Sequence, residues 1–263
     1  MGEAKCTSEG ASGVTGTYIY GIASADHPAL PDGMGGIGEP AREVRIVKEG
    51  PLAAIVSEAP EDLRPRRRDL LAHQSVLTEA GAGGTVLPMR FGSLAPDEES
   101  VAGVLAERLD HYQERLGTLD GKVEYNVKAR HDEEAVLHRV MAEDAEVRTV
   151  TEANRQMGGG TYEERLRLGE LVVAAVQARE AADAVEVQRL LEPSAEAVST
   201  GPESTGWPAD VSFLVDRTAA EHFLAAVDKL RTSHAHLEFT VNGPLPPYSF
   251  MEPGPSAPAG SPE

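Results

Sequence analysis

The chain has 263 residues, 41% of them hydrophobic, and carries 24 Lys and Arg against 43 Asp and Glu, a net charge of −19. This length predicts one large domain or two ordinary ones, with enough apolar residues for a real core. The negative charge excludes nucleic acids and anionic membrane surfaces as expected partners, because both bind basic faces.

The ends of the chain and its one cysteine indicate the compartment. Residues 1–16 are small, polar and glycine-rich, without the apolar core of a signal peptide, and we expect them to be disordered. Cys6 is the single cysteine, so no intrachain disulfide can form, which fits a reducing cytoplasm. No window approaches 18 apolar residues, which predicts that nothing spans a membrane. The Pro/Ser/Gly-rich residues 251–263 are predicted to be a disordered tail.

Three strands are predicted near the start. Thr17–Ala23 alternates aromatic and β-branched residues, and the runs Glu43–Lys48 and Leu52–Glu58 flank a tight Gly-Pro turn, as in a hairpin. The glycines in residues 26–40 resemble a phosphate loop superficially. Pro40 and a strand follow them instead of the helix that such a loop requires, so phosphate binding is not expected.

A dense positive run follows the hairpin, at Arg64 and Arg66 to Arg68. A nucleic-acid or phosphate site is one interpretation. A solvated helix start, or a docking point for an acidic partner, is favoured. Arg66, Arg67 and Arg68 are therefore predicted partner-binding residues.

In the rest of the first half, the sequence predicts a helix, a strand and a second helix. Arg67–Ala80 is a helix carrying His73, for which a structural role is favoured over a catalytic one. Thr85–Phe91 is a strand whose internal proline places it at an edge or a bulge. A helix then runs from Pro96 to about Leu116. Residues 17–120 are predicted to form an N-terminal α+β domain.

The longest predicted element is a helix over Thr161–Leu191. Gly158 to Gly160 interrupt the chain before it, Thr161 and Glu164 form a capping box, and Pro193 ends it. A core helix against a sheet is favoured over a coiled-coil or partner-binding helix. The predicted packing stripe consists of Leu168, Leu171, Val172, Ala175, Ala178, Ala182 and Val185.

The second half has the order strand, helix, strand, strand, helix, strand, which is the ferredoxin-like βαββαβ pattern with the long helix in the first crossover. We therefore predict an α+β fold of two domains, each an antiparallel sheet with helices on one face, the C-terminal one spanning residues 121–250. Its predicted elements are a strand at Lys122–Arg130, helical segments within Asp132–Gln156, a β-prone piece near Ala195–Thr200, a strand within Trp207–Arg217, a helix from a capping box at Thr218 and Glu221 to Arg231, and a strand at His236–Asn242.

The segment Gly243–Phe250 is rich in proline, which favours an extended conformation that projects Tyr248 and Phe250 as anchors. Either these anchors staple the segment to the chain's own fold, or they contact a partner. On the second alternative, the predicted partner-binding residues are Pro246, Pro247, Tyr248 and Phe250.

The sequence offers no convincing catalytic set, and we predict no catalytic residue, no cofactor and no metal site. It lacks a nucleophile elbow, a Walker lysine and a zinc-protease motif. His234 and His236 would share one face of a strand and could bind a metal ion. A position in a loop before an exposed strand explains the two histidines equally well.

Several segments together resemble the gas vesicle protein GvpL/GvpF family over roughly residues 17–250. They are TYIYGI, HQSVLTEA, TVLPMRFGSL, VEYNVKAR, VSFLVDR and FTVNGPLPPYSF, in this order along the chain. The resemblance implies a non-enzymatic accessory protein of gas vesicle formation, with two domains, at least one of them ferredoxin-like, and no catalytic residues.

The resemblance also implies partners and a location. The expected partners are the small hydrophobic shell protein GvpA and other accessory proteins, met in the cytoplasm in association with gas vesicles. The acidic chain would keep shell subunits soluble and help nucleation. A minor structural component of the shell is the alternative, and a small-ligand-binding or enzymatic ferredoxin-like protein is a further one.

Overall fold

The structure, a computed structural model, describes residues 16–201 and 207–251. It has a mixed α/β fold with two antiparallel sheets and divides into two compact units, Met1–Asp120 and Gly121–Glu263. None of the described helices combines the length and the apolar composition that a membrane crossing requires. The predicted disorder of residues 1–15 and 252–263 concerns parts of the chain outside the described residues.

The described residues of the first unit, from Gly16 onward, form five strands and three helices. The strands are β1 (Thr17–Ser24), β2 (Arg45–Glu49), β3 (Leu52–Glu58), β4 (Val86–Pro88) and β5 (Leu94–Ala95), and the helices are α1 (Arg67–Gly83), α2 (Glu98–Glu107) and α3 (Leu109–Leu119).

The sheet of the first unit has the order β2-β3-β1-β4, and β5 pairs with the other end of β1. The central strands β1 and β3 are almost wholly buried, as their apolar sequences require. Gly21 in β1 permits close packing, because a Cβ there would lie 2.8 Å from the carbonyl oxygen of Leu87.

Two predictions for the first unit are wrong in extent. The strand expected over Thr85–Phe91 shrinks to the three residues of β4, because the chain bends after Met89 into a turn at Gly92, whose φ is +92°. The helix expected from Pro96 to Leu116 is two helices, α2 and α3, separated at Arg108, where ψ is 24°.

In the second unit, the part of the chain that the structure describes forms four strands and four α-helices. The strands are β6 (Lys122–His131), β7 (Ala197–Thr200), β8 (Ala209–Asp216) and β9 (Leu237–Leu245), and the helices are α4 (Glu133–Glu143), α5 (Ala145–Gln156), α6 (Tyr162–Leu191) and α7 (Ala220–Ser233).

The sheet of the second unit has the order β7-β8-β6-β9, and every pairing is antiparallel. Aromatic side chains from three elements meet in its core: the ring of Phe223 on α7 lies 5.3 Å from those of Tyr125 on β6 and Phe213 on β8. The C-terminal end of α6 adds Val187 and Leu191 to the same core.

Helix α6 begins as predicted but packs differently. The capping box is present, with the amide of Glu164 donating to Thr161 and the Glu164 carboxylate accepting from the amide of Thr161. The predicted packing against a sheet is wrong for most of the helix, and Ala178, Ala182 and Val185 of the predicted packing stripe are exposed. Its N-terminal part packs on α4 and α5 instead, in a small separate core. That core consists of Val136, Val140 and Val147 with Met141, Leu168, Leu171, Val172, Ala175 and Val176 packed around them.

The second predicted capping box is also wrong. Helix α7 begins at Ala220, after a 3₁₀ turn over Arg217–Ala219, and the turn is capped by Asp216, whose carboxylate accepts from the amide of Thr218. A carboxylate at the end of β8 thus replaces the Thr218 hydroxyl as the cap.

Candidate functional site: surface segments and a buried polar cluster

The arginine cluster is partly neutralised by its own neighbours. Arg64 and Arg66 both pair with Asp62, at 2.7 Å each, on an exposed stretch of chain. Exposed ion pairs of this kind contribute little stability, about 0–1 kcal/mol. Arg67 is exposed and forms no ion pair with a described residue. The surface role predicted for these arginines stays a prediction.

Arg68 has a structural role. It contacts Glu39 and the buried carboxylate of Asp69, which also accepts from the amide of Gly38 at 2.9 Å. Burial acts to raise the pKa of Asp69, but the Gly38 amide and the Arg68 guanidinium outweigh it and hold that pKa below its ordinary value. Arg68, which lies on α1, therefore connects that helix to the glycine-containing loop of residues 26–40.

His73 is a core histidine, as the sequence favoured. Its Nε2 lies 3.1 Å from the carbonyl of Met89 and its Nδ1 lies 2.9 Å from the hydroxyl of Tyr18. Burial lowers the pKa of His73, although the Met89 bond opposes this, so the ring is neutral near pH 7. Both nitrogens are occupied, which leaves no free base.

The C-terminal segment folds onto the second unit. The extended conformation predicted for its end is wrong: Tyr248–Phe250 is a 3₁₀ turn, and Pro247 and Phe250 are buried. Ser249 donates from its amide and its hydroxyl to the buried carboxylate of Glu124, both at 2.8 Å. These contacts support stapling to the chain's own fold, one of the two alternatives read from the sequence.

Tyr248 belongs to the same staple. Burial, with the charge of Glu124 nearby, raises the pKa of Tyr248 to about 12, so its phenol stays protonated at physiological pH. Pro246 and Tyr248 are half-buried, and a partner-binding role for them stays a prediction.

A buried polar cluster joins three elements of the second unit. The Nε2 atoms of His131 on β6 and His236 before β9 lie 2.9 and 2.8 Å from one carboxylate oxygen of Asp183 on α6. Arg179, one turn earlier on α6, pairs with the same carboxylate through Nε at 2.9 Å and Nη2 at 2.8 Å. All three atoms that meet at that oxygen are nitrogens, so the carboxylate accepts from each of them.

The charges in this cluster shift two pKa values. Burial acts to raise the pKa of Asp183, but hydrogen bonds from Arg179, His131 and His236 bring it down to about 2. Burial lowers the pKa of His236, and the hydrogen bond to Asp183 only partly opposes this. The site is therefore an anionic carboxylate held by one arginine and two imidazoles.

His131, Asp183 and His236 are residue types that hold zinc, so their spacing decides whether a metal fits. Tetrahedral zinc with bonds near 2.0 Å would separate ligand atoms by about 3.3 Å. The observed 2.8 and 2.9 Å are hydrogen-bond distances, and two of the contacts to the carboxylate come from Arg179. The arrangement fits a hydrogen-bonded lock between α6 and the sheet better than a metal site.

Sequence reasoning found only part of this cluster. It paired His236 with His234, but His234 instead contacts Ser233 at 2.9 Å, and Glu186 lies 3.8 Å from it. It missed His131 and Asp183. The available signal was Asp183 itself, a carboxylate beside the apolar stripe of the long helix.

Beside this cluster lies a depression of about 740 Å³ lined by Arg130, Glu133, Glu134, Glu180 and Glu238, among others. Arg130 and Glu238 pair with each other at 2.5 Å, and Glu133 and Glu134 lie in the first turn of α4, where the helix dipole favours carboxylates. The ion pair and the helix dipole therefore account for these charged residues without a catalytic role.

Exposed large apolar side chains are found chiefly on helices. On α6 they are Tyr162, Leu166, Val173, Val185 and Leu190, and on α1 they are Leu70 and Leu71. The polar side chains of β6 and β8 instead pair across the sheet: Asp210 bonds Asn126 and Lys128, each at 2.8 Å. Any apolar contact with another protein is thus expected on helices.

A sequence profile of the family described as "Gas vesicle synthesis protein GvpL/GvpF" matches residues 16–252. The chain is 63% identical over 236 residues to gas vesicle protein F of Streptomyces sp. (strain CB03234), covering 90% of this chain and 99% of that protein. It is 27% identical over 251 residues to gas vesicle protein L of the same strain, covering 89% of this chain and 91% of that protein.

The fold is also found in solved structures. The crystal structure of the gas vesicle protein GvpF from Anabaena sp. PCC7120 superposes with a TM-score of 0.73 at 24% identity, covering 91% of this chain and 99% of that one. GvpF from Microcystis aeruginosa gives a TM-score of 0.69 at 24% identity, covering 90% and 99%.

These matches define a gas vesicle protein with a mixed α/β fold. The chain belongs to the GvpL/GvpF family, which confirms the resemblance seen in the sequence.

Proposed function

We propose that this chain is an F-type accessory protein of gas vesicle formation that binds the hydrophobic shell protein GvpA and other accessory proteins. The observation that carries the proposal is the 63% identity to gas vesicle protein F across nearly the whole of both chains. The much lower identity to gas vesicle protein L supports the F type. The proposed place of action is the cytoplasm, on vesicles or nascent shells.

The proposed architecture is two domains, residues 17–120 and 121–250, the second of them ferredoxin-like. Its support is the strand order β7-β8-β6-β9 with helices between β6 and β7 and between β8 and β9, which is the order that a split βαβ fold gives. The two compact units, divided at Asp120, support the boundary.

The proposed mechanism combines apolar contact with charge. Exposed apolar side chains on the helices supply contact area for a sticky, self-associating subunit. The net charge of −19 keeps the complex apart from other complexes by repulsion until the subunit joins a shell. No chemical step is needed for this role. In keeping with that, His73 and Asp183 have their polar atoms engaged in hydrogen bonds and ion pairs within the fold.

Co-expression with GvpA tests the proposal. We expect the full chain to raise the fraction of GvpA that stays soluble and to co-purify with it. The matched control is GvpA expressed with an unrelated acidic protein of similar size, which separates specific binding from a general effect of charge. Unchanged GvpA solubility together with no co-purification would overturn the proposal. Retention of the chain in washed vesicles would instead identify it as a shell component.

A further inference from the structure

The N-terminal half of α6 has two apolar faces, and the fold covers only one of them. Leu168, Leu171 and Val172 pack toward α4 and α5. On another side of the helix, Tyr162 is 74% exposed and Leu166 is 53% exposed. A soluble protein gains nothing from a second apolar face unless something covers it.

The exposed residues form a stripe, which we call the α6 stripe: Tyr162, Leu166, Gly169 and Val173. At 100° per residue they fall within roughly 60° of arc and extend over about 17 Å, the spacing of a helix-packing seam. Val173 is 56% exposed, and a Cβ on Gly169 would meet nothing within 4 Å. Gly169 is therefore a notch where a second helix can approach the backbone closely.

The charges beside the stripe indicate the chemistry of its partner. Glu163 and Glu170 lie along one side of it, both exposed, and neither forms an ion pair with a described residue. The exposed Arg165 borders the opposite side, so the basic border of the partner would face the two glutamates. By contrast, the buried carboxylate of Asp183 and the exposed one of Glu143 are paired with arginines. A partner helix whose apolar stripe is bordered by lysine or arginine would bury the side chains and pair both carboxylates.

We propose that the α6 stripe is the docking site for an amphipathic helix with a basic border, supplied by the apolar protein that this chain keeps soluble. This inference rests on the proposed function and adds the surface and the secondary structure of the bound segment. The partner helix crosses α6 at Gly169, with its apolar residues between Leu166 and Val173.

A pair of double variants tests the inference in the full chain. Leu166→Gln with Val173→Gln is expected to lower the yield of co-purified GvpA at least tenfold. Ile46→Gln with Leu94→Gln, on strands β2 and β5 at 40% and 54% exposure, is the matched control and is expected to leave the yield unchanged. Equal capture by both variants would overturn the inference while the proposed function stands. No capture by the unmodified chain would instead overturn the proposed function.

Two further measurements address the notch and the charges. Gly169→Leu adds bulk that nothing in the chain opposes, so we expect folding to persist and GvpA capture to fall. Glu163→Gln with Glu170→Gln is expected to weaken capture at low salt and to flatten its salt dependence.

A photoreactive residue at position 166 should crosslink to a helical, lysine- or arginine-bordered segment of GvpA. Crosslinking to a second copy of this chain, with dimer mass by light scattering, would overturn the inference. Circular dichroism showing that Gly169→Leu is unfolded would also overturn the inference, because the open space around Gly169 predicts that the leucine variant folds.

Discussion

At the scale of single residues, the cluster around Asp183 makes the free energy of unfolding depend on pH in the acidic range. The pKa of this carboxyl is about 2 in the folded chain and near 3.9 in an unfolded one. Because the folded value is the lower one, the stabilisation is complete above about pH 4 and is lost as the pH falls toward 2. With a side chain only 2% exposed, Asp183 should contribute about 2 kcal/mol to the free energy of unfolding.

Asp183→Asn should remove that contribution. We expect the variant to be less stable at pH 7, since Arg179 loses its charge partner, and to lose less stability than the parent between pH 5 and pH 2. Urea unfolding at a series of pH values measures both. Asp228→Asn, at an exposed ion pair on α7, is the matched control and should leave the acid dependence unchanged. An Asp183→Asn variant with the parent's acid dependence would contradict this account.

Individual residues also show where sequence reasoning succeeds. The cap of α6 was predictable because Thr161 and Glu164 act on each other locally, three residues apart. The cluster of His131, Asp183 and His236 was not, because its members lie 52 and 53 residues apart and meet only after the sheet has formed. In the sequence, the histidine pair at i and i+2 resembled a metal site more than the three residues that meet in the structure.

At the scale of elements, Gly169 is a helix-interior glycine that the fold itself does not require. It lies within α6, and a Cβ would meet nothing within 4 Å. Gly169→Ala should therefore raise the free energy of unfolding by about 0.5–1 kcal/mol, because alanine loses less backbone entropy in a helix.

Urea unfolding measures this gain, and Gly160→Ala supplies the contrast. Gly160 has φ +69°, a left-handed conformation that costs an alanine about 1–2 kcal/mol, so this variant should be less stable than the parent. If Gly169→Ala also lowered stability, the interior of α6 would have to make contacts at that position.

Helix α6 also shows the limit of periodicity as a guide. The predicted stripe is packed from Leu168 to Ala175, against helices α4 and α5 rather than a sheet, but its remaining residues, Ala178, Ala182 and Val185, are exposed. Apolar spacing therefore located the covered side of α6 only in its N-terminal half, and it did not identify the elements that cover it. The apolar residues Tyr162 and Leu166 on the other side were present in the sequence without a partner to assign.

At the scale of the whole molecule, we expect the two compact units to respond separately to core damage. Phe213→Ala empties a fully buried site in the second unit and should cost it about 3–5 kcal/mol. Hydrogen exchange should then accelerate in β6 and β8 and stay slow in β1 and β3, because each sheet has its own core.

Leu87→Ala is the reciprocal variant, with a fully buried side chain in the first unit and an expected cost of about 2–5 kcal/mol. It should accelerate exchange in β1 and leave β8 protected. Loss of protection in both sheets from either substitution would contradict independent domains.

The layered α+β order was readable from the sequence because strands and helices differ in apolar period. Strand β4 was overestimated because the turn at Gly92 depends on contacts that Tyr18 and His73 make from elsewhere in the chain. The order of strands in the second unit follows from the sequence of elements, whereas the placement of the last turn, Tyr248–Phe250, depends on Glu124, over a hundred residues earlier.

The central position of β6 has a consequence for synthesis. Its partners in β8 begin 80 residues later in the chain, and those in β9 later still. On the ribosome, β6 therefore emerges with both edges open while α4, α5 and α6 can already form from local contacts. This interval is when the nascent chain is most prone to aggregate, so pauses in translation between His131 and Ala209 should increase insoluble product.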